Sequence, residues 1–545
     1  MSVSAFKQRL RRIPGGGEEG FTMIMTVLGM ALVAALAAVA VTAVQGDSHM
    51  TYRDYTHKQA YEAAKAGLDE YAYHLHNDTG YWAKCTNVGT PSAVNQPGST
   101  ANKRLVPGTT NAKYAIELIP ATGHTTCDSS SIENATASML ESLGTMKGTF
   151  RVRSTGFVGD SEVSITATFK PASFLDYVYF TQLETSDPVT YPESYEAGAY
   201  TQCSKTMAEG RYSANIPGSS KRCDVISFVS GDNIKGPMHT NDAFAICESP
   251  TLGRGPSDPV EVSSPPRGWY YTKEIETGSK CPYASPNFAG TFTTDSPALL
   301  PPKTNLALAK ETEAGFLFQG QVQICLSGSS MTVRSGTMSC SGGTVVYSGP
   351  QPANGIVYVE SIECKGTYKP FVVDYSKEPP KCGNAYVQGN YSKPLTIGAS
   401  NDIVINGNVT QEGGEAVLGL IANNFIRVYH PITIRTETDR WGNVTGYSCS
   451  GNDSNVLKDL HIDAAILAIN HSFIVDSYDC GQKMGTMTVH GAIAQKYRGA
   501  VGTGGSSGTG YLKNYEYDER LHTIAPPSFI EPVQSDWVIG RETVG

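Results

Sequence analysis

The sequence predicts a mainly β protein carried on one long N-terminal α-helix. Three observations predict it. The 545 residues include 56 Gly and 30 Pro, which favours turns and short strands over long helices. One uncharged apolar run, Phe21–Val44, stands alone near the start. Charged residues make up only 17% and aromatics 9%, with 29 Tyr and 17 Phe. That composition excludes a disordered chain, because disordered chains are charge-rich and aromatic-poor. A mean hydropathy of −0.23 excludes a multi-span membrane protein. The net charge of −9 leaves no electrostatic footprint for nucleic acid. The length predicts about three domains, or two if one is an elongated β structure.

The helix comes first. Residues 1–20 form a polar leader with Lys7, Arg9, Arg11 and Arg12, followed by the uncharged run over residues 21–44. About 20 apolar residues span a bilayer core, so this run is long enough for a single-pass transmembrane segment. The basic leader predicts a cytoplasmic N-terminus and an extracytoplasmic remainder. A secretory signal peptide is the competing reading, with Val41-Thr42-Ala43 as its cleavage site, but such apolar cores usually run 7–15 residues. Residues 45–78 continue the helix as an amphipathic extension. His57, Tyr61, Ala64, Leu68, Tyr71 and Leu75 recur at helical spacing along one face. A single helix from Phe21 to about His76 is roughly 84 Å long.

Gly20 precedes Phe21-Thr22, with Gly15-Gly16-Gly17 and the basic residues upstream. This start resembles the type IV prepilin signal. The resemblance implies that a prepilin peptidase cuts after Gly20 and N-methylates Phe21. It also implies that the helix packs against other pilin-like subunits. Small residues at Gly29, Ala34, Ala35, Ala37, Ala38 and Ala40 permit close helix approach. Ala60–Leu68, AYEAAKAGL, is similar to the N-terminal region of PilX-like proteins of type IV pilus assembly. One position departs from the pattern: Met25 stands where major pilins carry Glu. The implied function is therefore a minor-pilin-like component of a type IV pilus or pseudopilus, in the cell membrane, displaying a large extracytoplasmic domain. The alternatives are a surface adhesin or glycan-binding protein using the helix only as an anchor, and a β-helix polysaccharide-active enzyme.

The passenger divides by texture. Residues 79–175 hold strand-like runs at Tyr114–Ile119, Thr149–Val158 and Glu162–Phe169, and read as a pilin-like β region. Residues 176–345 are rich in Pro, Gly and Ser. Residues 346–510 alternate short apolar strands such as DIVINGNVT and LHIDAAILA with Gly/Asn turns. They predict a β-solenoid (parallel β-helix-like) domain, or alternatively a β-sandwich. Here too, LGLIANNFIRV and HIDAAILA resemble the C-terminal half of long PilX-like proteins. Residues 511–545 are expected to cap the solenoid's end.

Twelve cysteines, an even number without C-x-x-C spacing, predict a disulfide framework formed outside the cytoplasm: Cys85, Cys127, Cys203, Cys223, Cys247, Cys281, Cys325, Cys340, Cys364, Cys382, Cys449 and Cys480. Sequential pairing closes the shortest loops and is the simplest of the many connectivities. Asp232–Asp242, DNIKGPMHTND, offers metal-ligand residue types but no EF-hand or HExxH spacing, so a turn is expected and no metal or cofactor. The carboxylates Asp459, Asp463, Asp476 and Asp479, with His461 and His471, are the strongest enzyme-like cluster. No nucleophile elbow, P-loop or zincin motif accompanies them, so no catalytic residue is expected.

Overall fold

The computed structural model describes residues 21–78, 80–85, 94–141, 148–276, 278–366, 368–441, 443–504, 508–533 and 537–544. The chain forms two compact units. The first holds residues 1–140, 150–168 and 541–545, and the second residues 141–149 and 169–540. The fold is mainly β, led by one helix, Phe21–Asn77.

In the first unit the helix packs on a sheet whose strands follow the order Val94–Asn95, Lys113–Ile119, Phe150–Val158, Ser161–Pro171 and Trp537–Val544. Lys113–Ile119 and Phe150–Val158 run antiparallel. In the expected SEVSITATF strand, Val163, Ile165 and Ala167 are buried while their neighbours are partly exposed, as period-two alternation requires. The helix approaches this sheet at backbone distance. A Cβ on Gly156 would lie 1.9 Å from the Ala60 carbonyl oxygen, and one on Gly67 would lie 2.3 Å from Ser154 Oγ. Glycine at both crossings is what lets helix and sheet touch.

The second unit is built mainly from parallel ladders, with antiparallel pairing among Val322–Gly328, Ser330–Ser335 and Thr344–Pro350 and between Ile432–Thr438 and Val444–Asn452. The first ladder runs, in spatial order, through Leu317–Gln319, Ile356–Glu360, Leu395–Ala399, Leu418–Ala422, His461–Ala468, Lys483–Tyr497, Tyr179–Leu183, Met238–Thr240, Pro259–Val262 and Thr291–Thr294. A second ladder joins Val322–Gly328, Ala385–Tyr391, Ile403–Gln411, Ile426–Val428 and Phe473–Val475. A third passes from Ile403–Gln411 through the first halves of His461–Ala468 and Lys483–Tyr497. It continues to Gly510–Tyr517, Asn233–Lys235, Thr251–Leu252 and Asn287–Phe288. Inward side chains such as Ile397, Leu420, Ile466, Ile493 and Val489 form one continuous core.

The spatial order is not the chain order. Strands from 317 to 497 come first in the stack, and those from 179 to 294 follow. Residues 295–316 must therefore travel back along all ten strands. Nine spacings of about 4.8 Å make roughly 43 Å, within reach of an extended chain of that length. Side-chain amides fasten this return segment. Asn241 exchanges hydrogen bonds with the Leu299 backbone, and Asn305 Nδ2 donates to Ala399 O at 2.8 Å and Ile421 O at 2.9 Å. Asparagines also stack at a turn, where Asn424 donates to Asn401 and Asn401 to Asn384, each at 2.7 Å.

Two sequence expectations need correction. The ladders are not confined to residues 346–510, because strands from the Pro-, Gly- and Ser-rich region take part throughout. Many of those strands, such as Thr251–Leu252 and Met238–Thr240, are two or three residues long, too short to show a period. The first part of the expected cap, within Gly510–Tyr517, lies instead inside the third ladder, paired on both sides.

The cysteines form six consecutive pairs: Cys85–Cys127, Cys203–Cys223, Cys247–Cys281, Cys325–Cys340, Cys364–Cys382 and Cys449–Cys480. None of the twelve is free. Thiol titration of the denatured, unreduced protein is expected to find no reactive cysteine. Gly156→Ala should push the helix off its sheet and cost about 1–3 kcal/mol, read by faster amide exchange across residues 56–75.

Candidate functional site

The N-terminal helix changes surface along its length. From Met23 to Val39 every side chain is exposed, with Met23 at 71% and Leu32 at 64%. Apart from Thr26 and Gly29 all of them are apolar. A Cβ on Gly29 would meet nothing within 4 Å. Gly29, Ala34 and Ala37 line one shallow groove with Thr26, Met30 and Val33. Ala35 and Ala38 are absent from that groove, since neighbours along a helix turn by about 100°. The side chains of Phe21 and Ala40, and the whole of Gly20 with the 1–20 leader, lie outside the described residues. Among the described residues no helix is long and apolar enough to cross a membrane. The described side chains of the uncharged run are those of Met23–Val39, and in the sequence the run extends to Val44.

Past Thr56 the same helix is docked. Ala60, Ala63, Ala64, Leu68, Tyr71 and Leu75 are at most 2% exposed, and Thr56 Oγ1 meets Ser161 Oγ at 2.7 Å. The buried stripe differs from the expected one at its start: His57 is exposed and Tyr61 only half-buried. Large side chains suggested that face, whereas the close crossing at Gly156 selects the small residues Ala60 and Ala64.

In the second unit the enzyme-like residues are shared among separate networks. Asp476 receives both Arg427 Nε at 3.0 Å and Nη2 at 2.9 Å, with hydrogen bonds from Tyr368 and Tyr375. Glu378 and Asp402 complete the ring around this fully buried guanidinium. Burial opposes its charge, but Asp476, Glu378 and Asp402 hold the Arg427 pKa well above its ordinary value. A cavity of about 380 Å³ lies above it, walled by Tyr368, Lys369, Lys377 and Asn401. Asp459 accepts from Thr486 N at 3.0 Å. His471 pairs with Asp187 at 3.1 Å and stacks on Phe425. His461 Nε2 lies 2.8 Å and His490 Nδ1 3.5 Å from the same Asp463 oxygen. Burial raises the Asp463 pKa, yet the bonds from His490, the Gln411 amide and His461 hold it below the usual range. The partner His490 is raised by the same bond. Sequence reading paired His461 with Asp463 but missed His490, which the ladder register brings alongside.

The DNIKGPMHTND segment makes two short strands. Its His239 is buried between Glu261 at 3.1 Å and Asn241 at 3.2 Å, and lies over Phe180. Among the described residues no group of three or more His, Cys, Asp or Glu could hold a metal ion.

No family model matches this sequence, and no curated protein is similar to it. Among solved structures, the competence-associated pilin ComZ from Thermus thermophilus aligns with 90% of this chain and 98% of its own. The identity is 12% and the TM-score 0.27, a superposition too loose to argue from.

Asp402 titrates near 6, raised chiefly by burial and eased by Arg427. An unfolded Asp titrates near 3.9. The native state therefore holds the extra proton between about pH 4 and 6. Stability from this group is complete below pH 4 and is lost as pH rises through 6. The loss is on the order of 2–3 kcal/mol. Asp402→Asn is expected to flatten that portion of the curve, measured as denaturation midpoints from pH 4 to 7.5.

Proposed function

We propose that the chain is a minor-pilin-like component of a type IV pilus or pseudopilus, anchored by its N-terminal helix and displaying a large extracytoplasmic β unit. One observation carries the reading: a single unbroken helix whose described first part, Met23–Val39, exposes an almost wholly apolar surface and whose second part docks on a sheet. Exposed apolar surface costs about 25 cal/mol per Å² in water. Lipid covers it first, and other pilin-like subunits cover it after assembly. The polar leader ending in Gly20 before Phe21 supports cleavage by a prepilin peptidase and N-methylation of Phe21. Met25 supports a PilX-like minor role over that of a bulk filament subunit. Six disulfides favour an oxidising compartment for the β unit. We read its parallel ladders, with one shared core, as the coils of a parallel β-helix; a β-sandwich would pair its strands antiparallel.

Mass spectrometry of the mature N-terminus tests the reading. A chain starting at N-methylated Phe21 is expected, and Gly20→Val should leave a full-length, membrane-inserted precursor. A start after Ala43, or an intact Met1, overturns processing by a prepilin peptidase.

A further inference from the structure

The three ladders each have an outer face, and two are covered along their middle strands. On the first ladder, outward Tyr358, Ile421, Leu467, Phe180 and His239 are at most 1% exposed. The return segment and the Pro526–Phe529 stretch lie against that ladder. On the second ladder, outward Tyr386, Val404, Arg427 and Ile474 are at most 1% exposed, with Tyr368 and Glu378 closing over Arg427. The third ladder differs. Its Asp463, His490, Glu516 and Lys235 stand side by side on successive strands, with His461 and Asn514 in the next row. All six are partly or fully exposed.

We propose that this third face binds an extended, uncharged polysaccharide lying along the stack axis. The polar groups of the face pair within it: Asp463 with His461 at 2.8 Å and His490 at 3.5 Å, and Glu516 with Lys235 at 2.7 Å. Among the described residues of these two rows the one lysine, Lys235, is paired with Glu516, which disfavours a polyanion, and no residue of either row is apolar, which disfavours hydrophobic docking of a protein. Hydroxyl-rich chains need alternating donors and acceptors, and amides, imidazoles and carboxylates supply both. Asn514 Nδ2 already links Thr488 at 3.3 Å and Glu516 at 3.1 Å, which fixes its orientation. Leu512, 48% exposed beside this row, offers an apolar shoulder to the C–H face of a sugar ring. Strands recur every 4.7–4.9 Å, and an extended pyranose chain advances by about one strand per sugar. Successive sugars therefore meet successive rungs. The proposal goes beyond the pilin-like reading and holds whether or not the helix is processed.

The test is calorimetric titration of the full chain in detergent with uncharged oligosaccharides of two to six units: β-1,4-linked glucose, xylose, mannose and N-acetylglucosamine, and α-1,4-linked glucose. At least one series is expected to bind, at least tenfold tighter as hexasaccharide than as disaccharide. His490→Ala and Asn514→Ala should each weaken the hexasaccharide at least fivefold without changing the melting temperature. Failure of every hexasaccharide, affinity independent of length, or binding untouched by both variants overturns the proposal. So does binding confined to a polyanion such as polygalacturonate.

Discussion

The strand Lys483–Tyr497 joins two blocks of parallel strands that the chain synthesises in the opposite order. On one side it pairs with His461–Ala468, close before it in the chain, and on the other with Tyr179–Leu183, about three hundred residues earlier. A strand in a parallel stack satisfies its backbone only through its neighbours. The early block therefore has no partner on this side until the late block exists. Arg498, immediately after the joining strand, reinforces the seam. Its guanidinium meets Glu184 at 3.1 Å and lies over Phe228, while its amide donates to the backbone of Leu183 and Thr185. Contacts of such sequence separation delay folding, because loop closure precedes the interactions that reward it.

The same ordering explains why the outer face of the first ladder is dressed along its middle strands. A chain that ends one block at Thr294 and begins the next at Leu317 has to lay a segment along the outside. That segment turns what would be a solvated row into a second buried layer, with Leu308 against Gly398 and Tyr358 donating to Asn305. The loop closed by Cys364–Cys382 does the equivalent for Arg427. Burying one guanidinium among three carboxylates is costly unless every hydrogen bond is made. Tyr368, Tyr375 and Tyr386 make them.

Local features of the fold were legible in the sequence, and features made by distant residues were not. The helix could be read from one apolar run and one stripe, and the SEVSITATF strand from alternation. Sequential cysteine pairing followed from short loops. The stack's order could not be read, because Ile493 beside Tyr179 leaves no trace in either local pattern. Strands of two residues carry no period, so the region from 176 to 345 read as texture instead of structure. Small residues misled in the opposite direction. Ala60 and Gly156 look unremarkable until one lies on the other, which moved the helix's buried stripe away from His57. At the exposed cluster, His461 and Asp463 sit two residues apart and were visible. His490 belongs to the neighbouring strand of the ladder and was not.

The entry point of the chain into the stack has a mechanical consequence. Tyr179–Leu183 is an interior strand, held by Lys483–Tyr497 on one flank and Met238–Thr240 on the other. A pull entering through residues 169–178 is thus delivered to the middle of the ladder, between two paired flanks. Strands at the rim of a stack peel one bond at a time. A strand clamped on both flanks must shear past two neighbours at once, so this entry point loads the part of the second unit most able to resist it.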